Sequence, residues 1–222
     1  MPINIAIDGP AGAGKSTIAK AVSKELGFIY VDTGALYRAI AYYALNHGVT
    51  DDNSAAVTAL LGEIKPELRF IDSTQHVFVN GDDVSDKIRT EEISMGASSV
   101  AAIPEVRHFL FELQQKIAKE NNIIMDGRDI GTVVLPNADV KIFLTASPEE
   151  RAKRRYKELA EKSADCPTYE EVLEDIKQRD YNDSHRKISP LKQADDAVVA
   201  DTSDYTLEES ITMLAELIKE RM

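Results

Sequence analysis

A chain of 222 residues, 43% hydrophobic and 29% charged, is long enough for one domain with a sizeable core or a core with an insert. It contains no apolar run near the roughly 20 residues of a spanning helix, and its single cysteine, Cys166, excludes an intramolecular disulfide framework. A net charge of −12 argues against a broad nucleic-acid surface, which needs an excess of Lys and Arg. The N-terminus has no basic segment or cleavage site ahead of its first apolar run, so a cytoplasmic protein is expected.

The first apolar run, Ile3 to Asp8, lacks strict alternation and reads as a buried parallel strand. Gly9-Pro10-Ala11-Gly12-Ala13-Gly14-Lys15-Ser16 follows and matches GxxxxGK[ST] in full. Glycines there let successive N–H groups turn inward on phosphate oxygens, and the helix start adds its positive dipole end. Lys15 is placed to reach the β- and γ-phosphates, and the Ser16 hydroxyl to bind Mg2+. A helical pattern runs from Lys15 to Leu26, with Ile18, Ala19, Val22 and Leu26 on one face.

Phe28 to Val31 reads as the second strand. Asp32 and Thr33 follow it, and Arg38 lies about one helical turn along. Ligands gather at the C-terminal edge of a parallel sheet, so these residues are candidates for ligand contact. Between about Leu61 and Ser94 the rhythm changes. Leu68 to Ile71 and His76 to Val79 are short strands, Asn80-Gly81 is a turn, and the stretch reads as a β-rich insert. A helical pattern from Ile103 to Lys119 precedes the strand Ile123 to Met125, which ends in Asp126-Gly127-Arg128-Asp129. Asp126 suits Mg2+ bound through water, and the planar fork of Arg128 suits a phosphate clamp.

After the strand Val140 to Leu144, Ser147-Pro148-Glu149-Glu150 reads as a helix start. Arg151 and Arg155 share a helix face, and cations that close over a moving phosphoryl group stabilise its charge. Lys153 to Tyr169 reads as a helical excursion. A last strand is expected at Ala197 to Ala200. Strands alternating with helices imply an α/β fold with a parallel sheet covered on both faces. His47, His76, His108 and His185 are scattered without metal spacing, and Cys166 reads as a bystander.

The phosphate cradle alone leaves the fate of the γ-phosphate open. No Asn-Lys-x-Asp guanine signature occurs. A phosphate monoester has its second pKa near 6 and attacks without a base, whereas a hydroxyl acceptor calls for one, and Asp32 could serve. The arginine content favours an anionic acceptor. The remaining readings are a hydroxyl-directed kinase of the shikimate or gluconate type, a nucleotide-binding module without turnover, and a nucleic-acid binder using Arg151 to Lys157.

The set IDGPAGAGKST, DTGALYR, VSDKIRTEEI, ASSVAAIPEVR, DGRDIGTVV, ERAKRR and QRDYNDSHR closely resembles bacterial cytidylate kinases, nearly end to end. The resemblance implies a nucleoside monophosphate kinase over residues 1–222. It would have five parallel strands, an acceptor-nucleotide insert at about 61–94 and a short lid at about 153–169. It implies ATP and Mg2+, nucleotides as the only partners, no membrane or nucleic acid, and a monomer. Residues Gly9 to Thr17 would bind ATP, and Arg151 and Arg155 would meet it from the lid. Thr33 would lie near the acceptor, with Arg38 and Arg128 on the CMP phosphate. Ser98, Arg107 and Asp129 would read the cytosine edge, Arg179 and Asp183 the ribose, and Arg186 would stand nearby. Asp129 accepts from the cytosine amine but faces the uracil carbonyl with like polarity, so CMP and dCMP are expected over UMP. Thr33 in place of a Ser, and the Tyr181-Asn182 pair, depart from the family pattern and leave the ribose preference open.

Overall fold

The structure, a computed structural model, describes residues 1–50, 53–71, 74–162 and 166–222, with the backbone alone at Lys162. Five strands, β1 (Asn4–Asp8), β2 (Ile29–Asp32), β6 (Ile123–Gly127), β7 (Val140–Thr145) and β8 (Val198–Asp201), form one sheet in the order β2-β6-β1-β7-β8. Each expected core strand is present, shifted by one or two residues at its ends. In this order the chain moves to one side of β1, returns, and crosses to the other. The switch point at the C-terminal end of β1 is where such sheets bind ligands.

By chain contacts the molecule divides into two units, the first formed mainly by residues 29–123 and the second by residues 3–28 and 124–222. In the second unit, β1 runs parallel to β7 with Ile7 opposite Ile142, and β7 runs parallel to β8 with Leu144 opposite Ala200. Ile5, Ile7, Met125, Ile142 and Leu144 are buried, which explains the near-continuous apolar runs of a sheet covered on both faces. Helix α1 (Lys15–Leu26) buries Ile18, Ala19 and Val22 and ends on Gly27 in the left-handed region (φ 71°). Helix α6 (Pro148–Lys162) begins at the expected Pro148, and the Ser147 hydroxyl accepts from Glu150 N at 3.2 Å. Helix α7 (Tyr169–His185) opens with a reciprocal capping box between Thr168 and Glu171. It packs Val172 and Ile176 against Ala152 of α6. A closing helix, α8 (Leu207–Lys219), carries a second capping box between Thr206 and Glu209. The stretch expected as a helical excursion thus comprises the second half of α6, a connection, and the first residue of α7. Residues 163–165 lie outside the described residues.

The first unit is built on α2 (Thr33–Asn46), whose Leu36, Ala39, Ile40 and Ala44 are buried. Short helices follow at α3 (Ser54–Leu60) and α4 (Glu91–Val100), then the long α5 (Pro104–Glu120) with Pro at its first position. Strands β3 (Pro66–Ile71), β4 (Thr74–Val79) and β5 (Asp82–Asp83) make a separate antiparallel sheet. The Asn80-Gly81 turn has positive φ at both residues (53° and 93°), the backbone that a tight hairpin demands. Val77 and Val79 of β4 join the core made by α2, Ile88, Val100, Val106 and Leu110. Among the described residues no helix is long and apolar enough to cross a membrane.

Candidate active site

The phosphate cradle follows directly from β1. Gly9 has φ +153°, and a Cβ there would stand 1.9 Å from the Leu144 carbonyl oxygen. Only glycine lets the loop leave the strand so close to β7. Gly14 takes a left-handed conformation (φ 86°) at the start of α1, which turns the loop N–H groups toward one centre. Lys15 is 6% exposed, and its Nζ donates to the carbonyls of Gly9 and Pro10 at 2.7 Å each. Burial pushes the Lys15 ammonium pKa well down, the Arg128 charge pushes it the same way, and Asp126, Asp8 and Asp183 oppose both.

Asp126, near the end of β6, accepts from the Ser16 hydroxyl at 2.9 Å. A carboxylate and a hydroxyl at this spacing are hard oxygen donors of the kind Mg2+ takes. No group of three or more His, Cys, Asp or Glu is arranged for a metal ion among the described residues. That donor set fits an ion held by one or two protein oxygens with the substrate phosphates supplying the rest.

Arg128, Asp183, Asp129 and Arg186 form a second charged group in the same unit. Arg128 Nε donates to Asp183 at 2.8 Å. Arg186 lies 3.7 Å from Asp129 and donates from Nε to the Ser189 carbonyl at 2.6 Å. Burial works to raise the Asp183 carboxyl pKa. Arg128, Arg186 and Arg179 outweigh it and hold the group below its ordinary 3.8. Helix α7 thereby places Arg179 and Asp183 one turn apart, with Arg186 just beyond its end. Asp129 is 4% exposed, at the start of a π-helical turn, Ile130–Val134.

Arg151 and Arg155, expected to meet ATP from one face of α6, have different surroundings. Arg151 is 3% exposed. It donates to the Ala146 and Ala11 carbonyls at 2.9 and 3.0 Å and makes a bidentate pair with Asp180 at 3.0 and 2.6 Å. Its fork ties the cradle to α7. Arg155 pairs with Glu158 at 3.3 Å on the surface. Arg154, which sequence reasoning passed over, stands beside the cradle. Its Nη1 would be 4.0 Å from a Cβ at Gly14, and its Nη2 donates to the Thr202 carbonyl at 2.7 Å. Asp180 was also missed. Only its place one residue after Arg179 marks it in the sequence, and nothing there links it to Arg151.

In the first unit, Asp32 caps α2 through Ala35 N at 3.0 Å and pairs with Arg38 at 2.6 Å. Its backbone exchanges two hydrogen bonds with the Gln75 side chain, at 2.9 and 3.2 Å. Its carboxylate is thus committed to structure and to Arg38, which weakens its candidacy as a base. Thr33 is buried at the first position of α2. Arg107, 9% exposed, donates to the Ala101 carbonyl at 3.3 Å and has its guanidinium 5.6 Å from the Tyr37 ring centre. Ser98 is half-buried on α4. The expected residues thus divide into a group of five in this unit and the remainder in the other.

Known proteins resemble this chain over nearly its whole length. The profile of the family described as cytidylate kinase matches residues 5–220. A cytidylate kinase of Ligilactobacillus salivarius is 54% identical over 220 residues, covering 99% of this chain and 97% of the relative. Those of Thermosipho africanus and Caldicellulosiruptor bescii are 50% and 49% identical, over 100% and 97% of this chain and 96% and 95% of the relatives. Among solved structures, an uncharacterized protein from Eubacterium ventriosum superimposes over the full length of both chains with a TM-score of 0.57 at 13% identity, a likeness of fold alone. With a family profile spanning nearly the whole chain and half of all residues shared with curated members, this protein belongs to the cytidylate kinase family.

Proposed function

We propose that the protein transfers the γ-phosphate of ATP to CMP or dCMP, giving ADP and CDP or dCDP. The observation that carries this reading is the second unit's pairing of a phosphate cradle with an Arg128–Asp183 ion pair whose charges reach Lys15, in a chain matched by the family profile over residues 5–220. Gly9 to Thr17 bind the triphosphate, and Lys15 moves from the Gly9 and Pro10 carbonyls to the β- and γ-phosphates. Ser16 and Asp126 hold Mg2+, which neutralises charge on the transferring group when bound. Arg128 and Arg38 clamp the acceptor phosphate, whose ionised oxygen attacks in line without a base. Ser98, Arg107 and Asp129 read the cytosine edge, Arg179 and Asp183 hold the ribose, and Arg186 completes the acceptor site. Residues at about 61–94 serve as the acceptor-nucleotide insert, and the segment at about 153–169 as the lid. Arg155 meets the triphosphate directly, while Arg151 acts on the cradle through Ala11. The enzyme works as a cytoplasmic monomer on nucleotides alone.

A coupled ADP-release assay with ATP and CMP, dCMP, UMP and AMP tests the reading. CMP and dCMP should be turned over, with UMP lower in kcat/KM by about ten-fold or more, the effect of leaving buried acceptors unpaired. Equal use of UMP would remove Asp129 from base reading. Absence of ADP release with every acceptor would return the protein to the non-catalytic alternative.

A further inference from the structure

We infer that Asp8 is a positioning residue for acceptor selection: its carboxylate fixes the backbone on which Arg128 and Asp129 stand. The inference rests on the proposed (d)CMP kinase reading and deepens it.

The turn Ile130–Val134 begins at Asp129, whose backbone is non-helical (φ −146°, ψ 26°). An aspartate in that position ordinarily accepts from the first N–H groups of the turn, yet Asp129 makes no capping hydrogen bond to it. Asp8 does so from 121 residues earlier in the sequence. Its Oδ1 accepts from Ile130 N and its Oδ2 from Gly131 N, both at 2.7 Å. The Asp129 carbonyl in turn accepts from Val133 N and Val134 N at 2.9 and 3.1 Å. The Asp129 backbone is thus held from both sides, while its side chain faces Arg186 at 3.7 Å. Gly131 makes room for this contact, since a Cβ there would lie 3.3 Å from Asp8 Oδ2 and 3.2 Å from Lys141 Cδ.

Asp8 is 4% exposed and is the last residue of β1, directly ahead of Gly9. A carboxylate kept dry at that place is costly unless hydrogen-bonded. Its two oxygens serve two consecutive N–H groups, which no neutral side chain of the same size can match. One residue therefore joins the strand that launches the phosphate cradle to the segment proposed to grip the acceptor phosphate and read its base. A shift of about 1 Å in such a segment changes rates substantially.

The test compares wild type, Asp8→Asn and Gly131→Ala with CMP and UMP as acceptors, each first checked for folding by circular dichroism. Asn offers one oxygen and one NH2, so one of the two N–H groups loses its acceptor. Asp8→Asn should raise the CMP KM by about ten-fold and lower the CMP-over-UMP ratio of kcat/KM by about five-fold, with ATP KM changed by less than about three-fold. Gly131→Ala crowds the same oxygen and should move the same quantities in the same direction. The double variant should fall short of the product of the singles. A purely structural role predicts loss of stability with the base ratio unchanged, and that ratio holding in folded variants overturns the inference. If Asp8→Asn does not fold, Gly131→Ala decides alone. Failure of the wild type to phosphorylate CMP would instead strike the proposed function.

Discussion

Arg128 shows how one side chain can serve both ligand and fold. Its Nε donates to Asp183, which is only 7% exposed, and its charge helps depress the Lys15 pKa. Arg128→Ala should raise the CMP KM by about ten-fold or more and lower kcat as well, because a phosphate clamp also sets the line of attack. Steady-state kinetics with varied CMP at saturating ATP reads both, and unchanged values would remove Arg128 from the clamp. The type and spacing of this arginine were legible in DGRD, since a buried strand rarely ends in two acids and an arginine. Its partnership with Asp183, 55 residues on, was not, because an ion pair between distant residues leaves no local pattern. Asp8 was harder still. At the end of an apolar run it reads as the close of a strand, and only the nearness of Ile130 and Gly131 reveals its work.

At the scale of elements, the link among α6, α7 and the cradle runs through Arg151. Three elements meet at one guanidinium, through the Ala146 carbonyl, the Ala11 carbonyl and Asp180. Asp180→Ala leaves a buried arginine without its carboxylate. Breaking a fully buried pair costs about 3–5 kcal/mol. Asp180 is about a quarter exposed (24%), so a loss of about 2 kcal/mol is expected. Thermal unfolding would measure it, accompanied by a higher ATP KM as Ala11 loosens. A variant with wild-type stability and ATP KM would show the pair to be idle. Helix boundaries here follow local chemistry and were readable. Pro148 behind Ser147 starts α6, and the pattern from Lys15 to Leu26 is α1 residue for residue. Helix α2 and the short α3 and α4 had no clear periodic signal. Their alanines and valines are assigned a face only by packing in the first unit's core.

For the whole molecule, the acidic balance of −12 makes pH the informative variable. Asp83 is held down to about 2 by hydrogen bonds from the Ser85 hydroxyl and backbone and from His76, and Asp183 lies below 3.8 for the reasons given. Groups with depressed folded pKa values add stability that is present above their unfolded values and lost as pH falls through the folded ones. Asp8 runs the other way. Burial raises it from 3.8 to about 6, against the pull of the Gly131 and Ile130 hydrogen bonds. Its favourable contribution is full below 3.8 and lost as pH rises through 6, so keeping it ionised at pH 7 costs about 3 kcal/mol. Urea unfolding across pH 3 to 7 should show a maximum, with proton uptake on folding between about pH 4 and 6. In Asp8→Asn that uptake should vanish. Its persistence would mean that another group carries the titration.

The order of the core strands, the phosphate cradle and the family were all determined by the sequence alone, since each depends on residues close together in the chain. Glycines that allow a tight loop, a lysine and serine at a helix start, and apolar runs of strand length are local statements. Tertiary structure decided which charged side chains face one another. It committed Asp32 to capping and to Arg38, set buried Arg151 apart from half-buried Arg155, and brought Asp8 beneath the turn after Asp129. Burial and hydrogen-bond geometry settle those pairings, and for Asp8 and Arg151 they depend on residues more than a hundred positions apart meeting in a packed interior.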